Sequence, residues 1–133
     1  MTSEKLIKEA EDYGITIVHT HLPSVGSCSA NYMGEDYIGL DESYCPEAVL
    51  RVRVAHETGH CVRGAFYNLY APLDSRRKHE IHADVYAIER LIPLPEFRLA
   101  LAAGNTEMWE IAEVFDVTCE FAEKAMIYYR DKV

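Results

Sequence analysis

The run His56-Glu57-Thr58-Gly59-His60 puts two imidazoles and a carboxylate where they could act together on one cation. On a helix, residues i and i+4 share a face, so His56 and His60 would reach a single ion from successive turns. Glu57 stands beside them, close enough to touch a water on that ion. This HExxH spacing is the pattern of a hydrolytic zinc site, in which the metal acidifies water and the glutamate is the general base. The bland reading is an exposed helix with two solvated histidines. The flanks argue against it. Val52-Arg53-Val54-Ala55 precedes the run and Cys61-Val62 follows it, which makes the helix largely buried, and buried imidazoles need partners.

A catalytic zinc needs a third protein ligand and one open position. The stretch Lys78-His79-Glu80-Ile81-His82-Ala83-Asp84 offers Glu80, His79 and His82. Glu80 and Asp84 are i,i+4 neighbours. Ala83 and Ala87 lie on the same side, where small side chains would let this helix approach the HExxH helix closely. His79 and His82 flank Glu80 at −1 and +2 and so point away from its face. That favours Glu80, with His82 as runner-up. The two histidines could instead edge the cleft, where a protonated ring would steady an oxyanion. His19 and His21, at a strand end, read as structural or solvated. Nineteen residues separate His60 from Glu80, giving HExxH-x19-ExxxD. This layout resembles the gluzincins, the thermolysin-like zinc peptidases. The resemblance implies Glu80 as third metal ligand and Asp84 as acceptor for the free N–H of a ligand histidine, His56. A carboxylate there would fix the ring tautomer and raise its basicity.

These residues need elements to position them. Ser3 suits the cap of a first helix that Gly14 ends, and Ile15-Thr16-Ile17-Val18-His19 reads as a strand. Residues 30–33 and 37–40 read as two short strands around a Gly34-Glu35-Asp36 hairpin turn. A helix over about 46–63 carries HExxH, with Pro46 in its first turn and Gly64 beyond its end. A third helix, about 75–91, carries Glu80 and stops before Pro93. Pro95 opens a short helix closed by Gly104, Thr106 caps one to about Phe115, and Thr118 caps a last one to about Arg130. Ile111, Val114, Phe115, Phe121, Ala125 and Tyr128 would face the core. The layout is α+β: a small antiparallel or mixed sheet packed on a helical core. The 133 residues suit one domain and are too few for two ordinary ones.

Two motifs in order carry a closer resemblance. Ala55-His-Glu-Thr-Gly-His60 is followed by Glu80-Ile-His-Ala-Asp-Val-Tyr-Ala-Ile-Glu-Arg-Leu-Ile-Pro93, and then by Ile111-Ala-Glu-Val-Phe-Asp-Val-Thr118. Together with the strand Tyr37-Ile-Gly-Leu40, these resemble the ImmA/IrrE family of zinc metallopeptidases from about Leu6 to Tyr129. Leu91-Ile92-Pro93 is one residue tighter than the family's usual leucine pair before proline. The resemblance implies a Zn²⁺-dependent, site-specific endopeptidase, here as a bare catalytic domain. It also implies a protein substrate, a helix-turn-helix repressor encoded nearby in a phage or mobile element.

Composition narrows the rest. The net charge of −9 and pI near 5.1 disfavour direct nucleic-acid binding, which wants the opposite sign. The stretch 107–133 could pass for a helix-turn-helix, but it has seven acids against three bases and so reads as packing helices. No apolar run reaches membrane-spanning length and no signal peptide is visible. The four cysteines, Cys28, Cys45, Cys61 and Cys119, form no CxxC pair. Free thiols in a reducing cytoplasm are the simplest expectation. Two alternatives to the enzyme stand at this point. One is a catalytically silent zinc-binding module that grips a protein through the aromatic stretch 64–74 (Phe66, Tyr67, Tyr70). The other is a metal-free structural domain. The sequence leaves the oligomeric state open.

Overall fold

A computed structural model describes residues 2–43, 45–64 and 73–132. The aromatic stretch 65–72 lies outside the described residues. The chain runs α1 (Ser3–Asp12), β1 (Thr16–His19), β2 (Ser27–Tyr32), β3 (Glu35–Leu40), α2 (Glu47–Val62), α3 (Leu73–Leu91), α4 (Leu94–Ala102), α5 (Met108–Phe115) and α6 (Cys119–Tyr129). The class is α+β, and the sheet is mixed. Its order is β1-β3-β2, with β1 parallel and β2 antiparallel to β3.

Several boundaries move from the sequence expectation, each for a local reason. The β2–β3 hairpin closes on Met33-Gly34, both at positive φ (52° and 83°). That is the two-residue turn whose twist matches the strands; Glu35 and Asp36 already pair in β3, opposite Tyr32 and Asn31. The N-cap of α1 is Thr2, whose side chain accepts from Lys5 N–H at 3.2 Å. Ser3 instead ties α1 to α2, its N–H and hydroxyl both donating to the Glu47 carboxylate. Helix α5 is capped by Glu107, in a reciprocal box with Glu110, rather than by Thr106. Thr118 does cap α6, accepting from Phe121 N–H at 3.2 Å.

Helix α2 lies at the centre. Its second half is buried on nearly every side, polar residues included: Glu57, Thr58, Gly59, His60 and Cys61 in succession. The main core joins Leu40, Val54, Ile88, Ile92, Ile111, Phe121 and Tyr129. Of the expected core faces of α5 and α6, Ile111, Phe121 and Ala125 are buried and Phe115 and Tyr128 pack partly, but Val114 is exposed; Ala112, Val117, Ala122 and Tyr129 point inward instead. Arg51 is also buried, at 4% exposure. Its Nη1 donates to the carbonyls of Phe115 and Asp116, tying α2 to the end of α5. A cation at a helix C-terminus is favourable there.

The crossing of α2 and α3 sets the site. Ala83 and Ala87 are fully buried, and Gly59 sits against the α3 backbone. A Cβ at Gly59 would meet the Ala83 carbonyl oxygen at 2.8 Å and Tyr86 Cβ at 3.1 Å. Gly59→Ala adds roughly 1 kcal/mol of helix propensity, but overpacking against rigid backbone costs about 1–3 kcal/mol. The expected result is a net loss of stability in urea unfolding, together with weaker metal binding, because the helices must part. Unchanged values for both would refute this close contact.

Candidate metal centre

Three side chains from these two helices converge. His56 and His60 come from successive turns of α2, their rings 4.8 Å apart and nearly perpendicular. Glu80 comes from α3. His56 Nε2 lies 2.8 Å from Glu80 Oε2, and His60 Nε2 lies 3.3 Å from Glu80 Oε1. One ligand atom from each of the three can be chosen so that all lie within 4.8 Å of one another. Tetrahedral zinc with bonds of about 2.0–2.1 Å holds its donors roughly 3.4 Å apart; two imidazoles and a carboxylate fit such an ion in chemistry, and the 3.3 Å between His60 Nε2 and Glu80 Oε1 is near that spacing. His82 is exposed on α3 and belongs to no such group among the described residues. His79 is half-buried and is likewise outside the group.

Behind the histidine lies a carboxylate. His56 Nδ1–H donates to Asp84 Oδ1 at 2.9 Å, which directs Nε2 toward Glu80. Asp84 in turn accepts from Lys124 Nζ of α6 at 3.3 Å. Burial alone would push the His56 pKa down, but the bond to Asp84 and the surrounding carboxylates leave it raised. For Asp84, burial pushes up, and the His56 bond and the Lys124 ammonium outweigh it, so the carboxyl is held low. Cys61 plays no part: burial lifts its thiol to about 12, and it packs in a small cluster with Ala10, Ile15 and Ile38.

Glu57 follows His56 on α2. It is 8% exposed, and its Oε2 accepts from Ser27 Oγ at 2.8 Å. Ser27 opens β2, the edge strand next to α2. Ser27, His56, Glu80, Asp84, Phe121 and Lys124 line one cleft of about 300 Å³. The sequence profile of the IrrE N-terminal-like domain, Peptidase M78, matches residues 10–126.

The chain belongs to the IrrE N-terminal-like family.

No curated protein matches the chain significantly. Membership in a peptidase family points to a metallopeptidase, and the His-His-Glu cluster to a metal. In this IrrE-like domain, Ser27 and Lys124 are what the sequence reading missed. Ser27 falls in what looks like a Gly- and Ser-rich turn, and nothing local marks it as facing a helix thirty residues on. Lys124 had a faint signal: Phe121 and Lys124 are i,i+3 on α6, so a packed aromatic carries the lysine to the same face. The two remaining histidines are exposed and meet acids: His19 pairs with Glu42, and His21 lies 3.0 Å from the buried Asp41. Among the described residues, no helix is long and apolar enough to cross a membrane.

The Ser27 bond has a measurable consequence. Hydrogen bonds to charged groups contribute about 1.5–3 kcal/mol, and roughly 1.4 kcal/mol is tenfold in rate. Ser27→Ala is expected to lower kcat about tenfold with metal content intact, and Ser27→Thr to restore most of it. Equal kcat for Ser27→Ala and wild type would remove Ser27 from the site.

Proposed function

We propose that the chain is a zinc-dependent endopeptidase that cuts a peptide bond in a protein substrate. The observation that supports it most is the convergence of His56, His60 and Glu80 with a buried, oriented Glu57 beside them. A zinc ion held by the three would supply Lewis acidity, acidifying water toward about pKa 7 and polarising the substrate carbonyl. The protein's own groups do the rest. Asp84 holds the His56 ring in the tautomer that presents Nε2. Lys124 steadies Asp84. Ser27 occupies Oε2 of Glu57, leaving Oε1 to take the proton of the attacking water and later hand it to the departing amine.

The edge strand β2 gives an extended peptide a place to pair, with Ser27 at its near end. A silent zinc-binding module has no need for a base, and the buried, hydrogen-bonded Glu57 argues for catalysis. On the resemblance set out above, a helix-turn-helix repressor encoded beside this chain is the candidate substrate. All four cysteines are free thiols, which supports a cytoplasmic setting.

The test is direct. Purified protein mixed with that repressor should cut it at one position, lose the activity with a zinc chelator, and regain it on adding Zn²⁺. Cutting that continues unchanged in chelator would end the zinc reading.

A further inference from the structure

Helix α2 carries more than metal donors along its cleft face. Val49, Arg53, His56 and His60 fall at i, i+4, i+7 and i+11, one stripe of the helix. Val49 and Arg53 line a second cavity of about 530 Å³, walled by residues 21–26. Arg53 also lines the metal cleft. Arg53 is therefore a wall shared by the two spaces, one helical turn from His56.

The guanidinium is held there. Nη1 donates to Cys45 Sγ at 3.5 Å. Its head fills the space that a side chain at residue 26 would need: a Cβ on Gly26 (φ +74°) would fall 2.4 Å from Arg53 Cζ. Yet no carboxylate pairs with Arg53 among the described residues, whereas Arg51, Arg63 and Arg90 each have one. Two of the nearby acids are engaged elsewhere, while Glu120 of α6 is exposed at the rim of the metal cleft. Asp41, in the same cavity, accepts from the Leu22 and Ser43 N–H groups and faces His21. Asp84 is taken by His56 and Lys124. A guanidinium has five donors in a planar fork that matches a carboxylate, and among the described residues only one on Arg53 has a partner.

We infer that Arg53 is a specificity residue: it receives the side-chain carboxylate of a substrate Asp or Glu at the wall shared by the two cavities, so that cleavage falls beside an acidic residue. This rests on the peptidase reading for the position of the cut, but the capture of a carboxylate does not. A terminal carboxylate has the same chemistry; an endopeptidase cuts within a chain, so the side chain is the source assigned.

Zinc-loaded Glu57→Gln protein is immobilised and offered short, C-terminally amidated peptide mixtures that differ only in carrying Glu or Gln at one fixed position. A further mixture lacks internal acids and ends in a free carboxylate. Retained peptides are read by mass spectrometry. The expected result is about tenfold enrichment of Glu over Gln peptides, the scale of a charge-assisted bond. Arg53→Gln in this background should abolish it. Arg53→Lys, which keeps the charge but not the fork, should keep part. Zinc content should be the same in all three. Equal retention of Glu and Gln peptides overturns the inference, as does enrichment confined to the free-carboxylate mixture. Cleavage of the same mixtures by wild type separates the two readings. Arg53-dependent capture without any cutting leaves the inference standing and removes the peptidase. Cutting with no acidic preference does the reverse.

Discussion

Glu57→Gln is expected to keep its metal and lose cleavage by about 10³-fold or more. General acid–base catalysis by one positioned group is worth about 10²–10⁴, and Glu57 moves a proton twice in the proposed cycle. The substitution is close to isosteric. Its amide oxygen can still accept from Ser27 Oγ, which reaches Glu57 Oε2 at 2.8 Å in the native chain. The three grouped donors are untouched. Fold, metal content and substrate affinity should therefore match wild type, and only the rate should fall. At 8% exposure the native carboxylate is nearly buried, so the neutral amide should cost nothing in stability. Single-turnover cleavage of the substrate, with zinc measured by elemental analysis on the same sample, makes the comparison. Wild-type rates in the Gln variant would place the base elsewhere and leave Glu57 a structural acid.

His60→Ala should abolish the metal itself. Loss of an outer partner of a ligand typically costs 10–100-fold in affinity, and removing one of only three donors exceeds that. His60 is 5% exposed, and its ring packs edge-on to His56 at 4.8 Å, so the variant also opens a hole beside the partner ring. The decisive measurement is metal-linked stability. A ligand at 100 times its dissociation constant stabilises the native state by about 2.7 kcal/mol. Zinc should raise the melting temperature of wild type and leave His60→Ala unmoved. A variant with full zinc stoichiometry and the same upward shift would overturn the ligand assignment.

The sequence by itself determined the chemistry on each helix. HExxH fixes two imidazoles on one face because helical geometry is local. Glu80 and Asp84 share a face of α3 for the same reason, and the fold puts one against His56 Nε2 and the other against His56 Nδ1. The α+β class was legible too, from β-branched runs early in the chain and capped, amphipathic segments later. Turn chemistry was only partly legible: Met33 adopts φ 52° in the hairpin, a conformation a methionine does not advertise. Val114 was read inward and is exposed, because helical periodicity marks a stripe but does not say how the next helix rotates against it.

What only the tertiary structure decided are the meetings between elements. Gly59 in contact with Ala83 sets how closely the helices cross. Ser27 reaches Glu57 across thirty residues, Lys124 reaches Asp84 across forty, and Arg51 reaches Phe115 across sixty-four. Arg53 reads as an ordinary helix-surface arginine until the loop at Gly26 is laid over it. Local spacing constrains side chains joined by a few peptide units. Contacts between distant segments depend on the collective packing of the core, which no short pattern encodes.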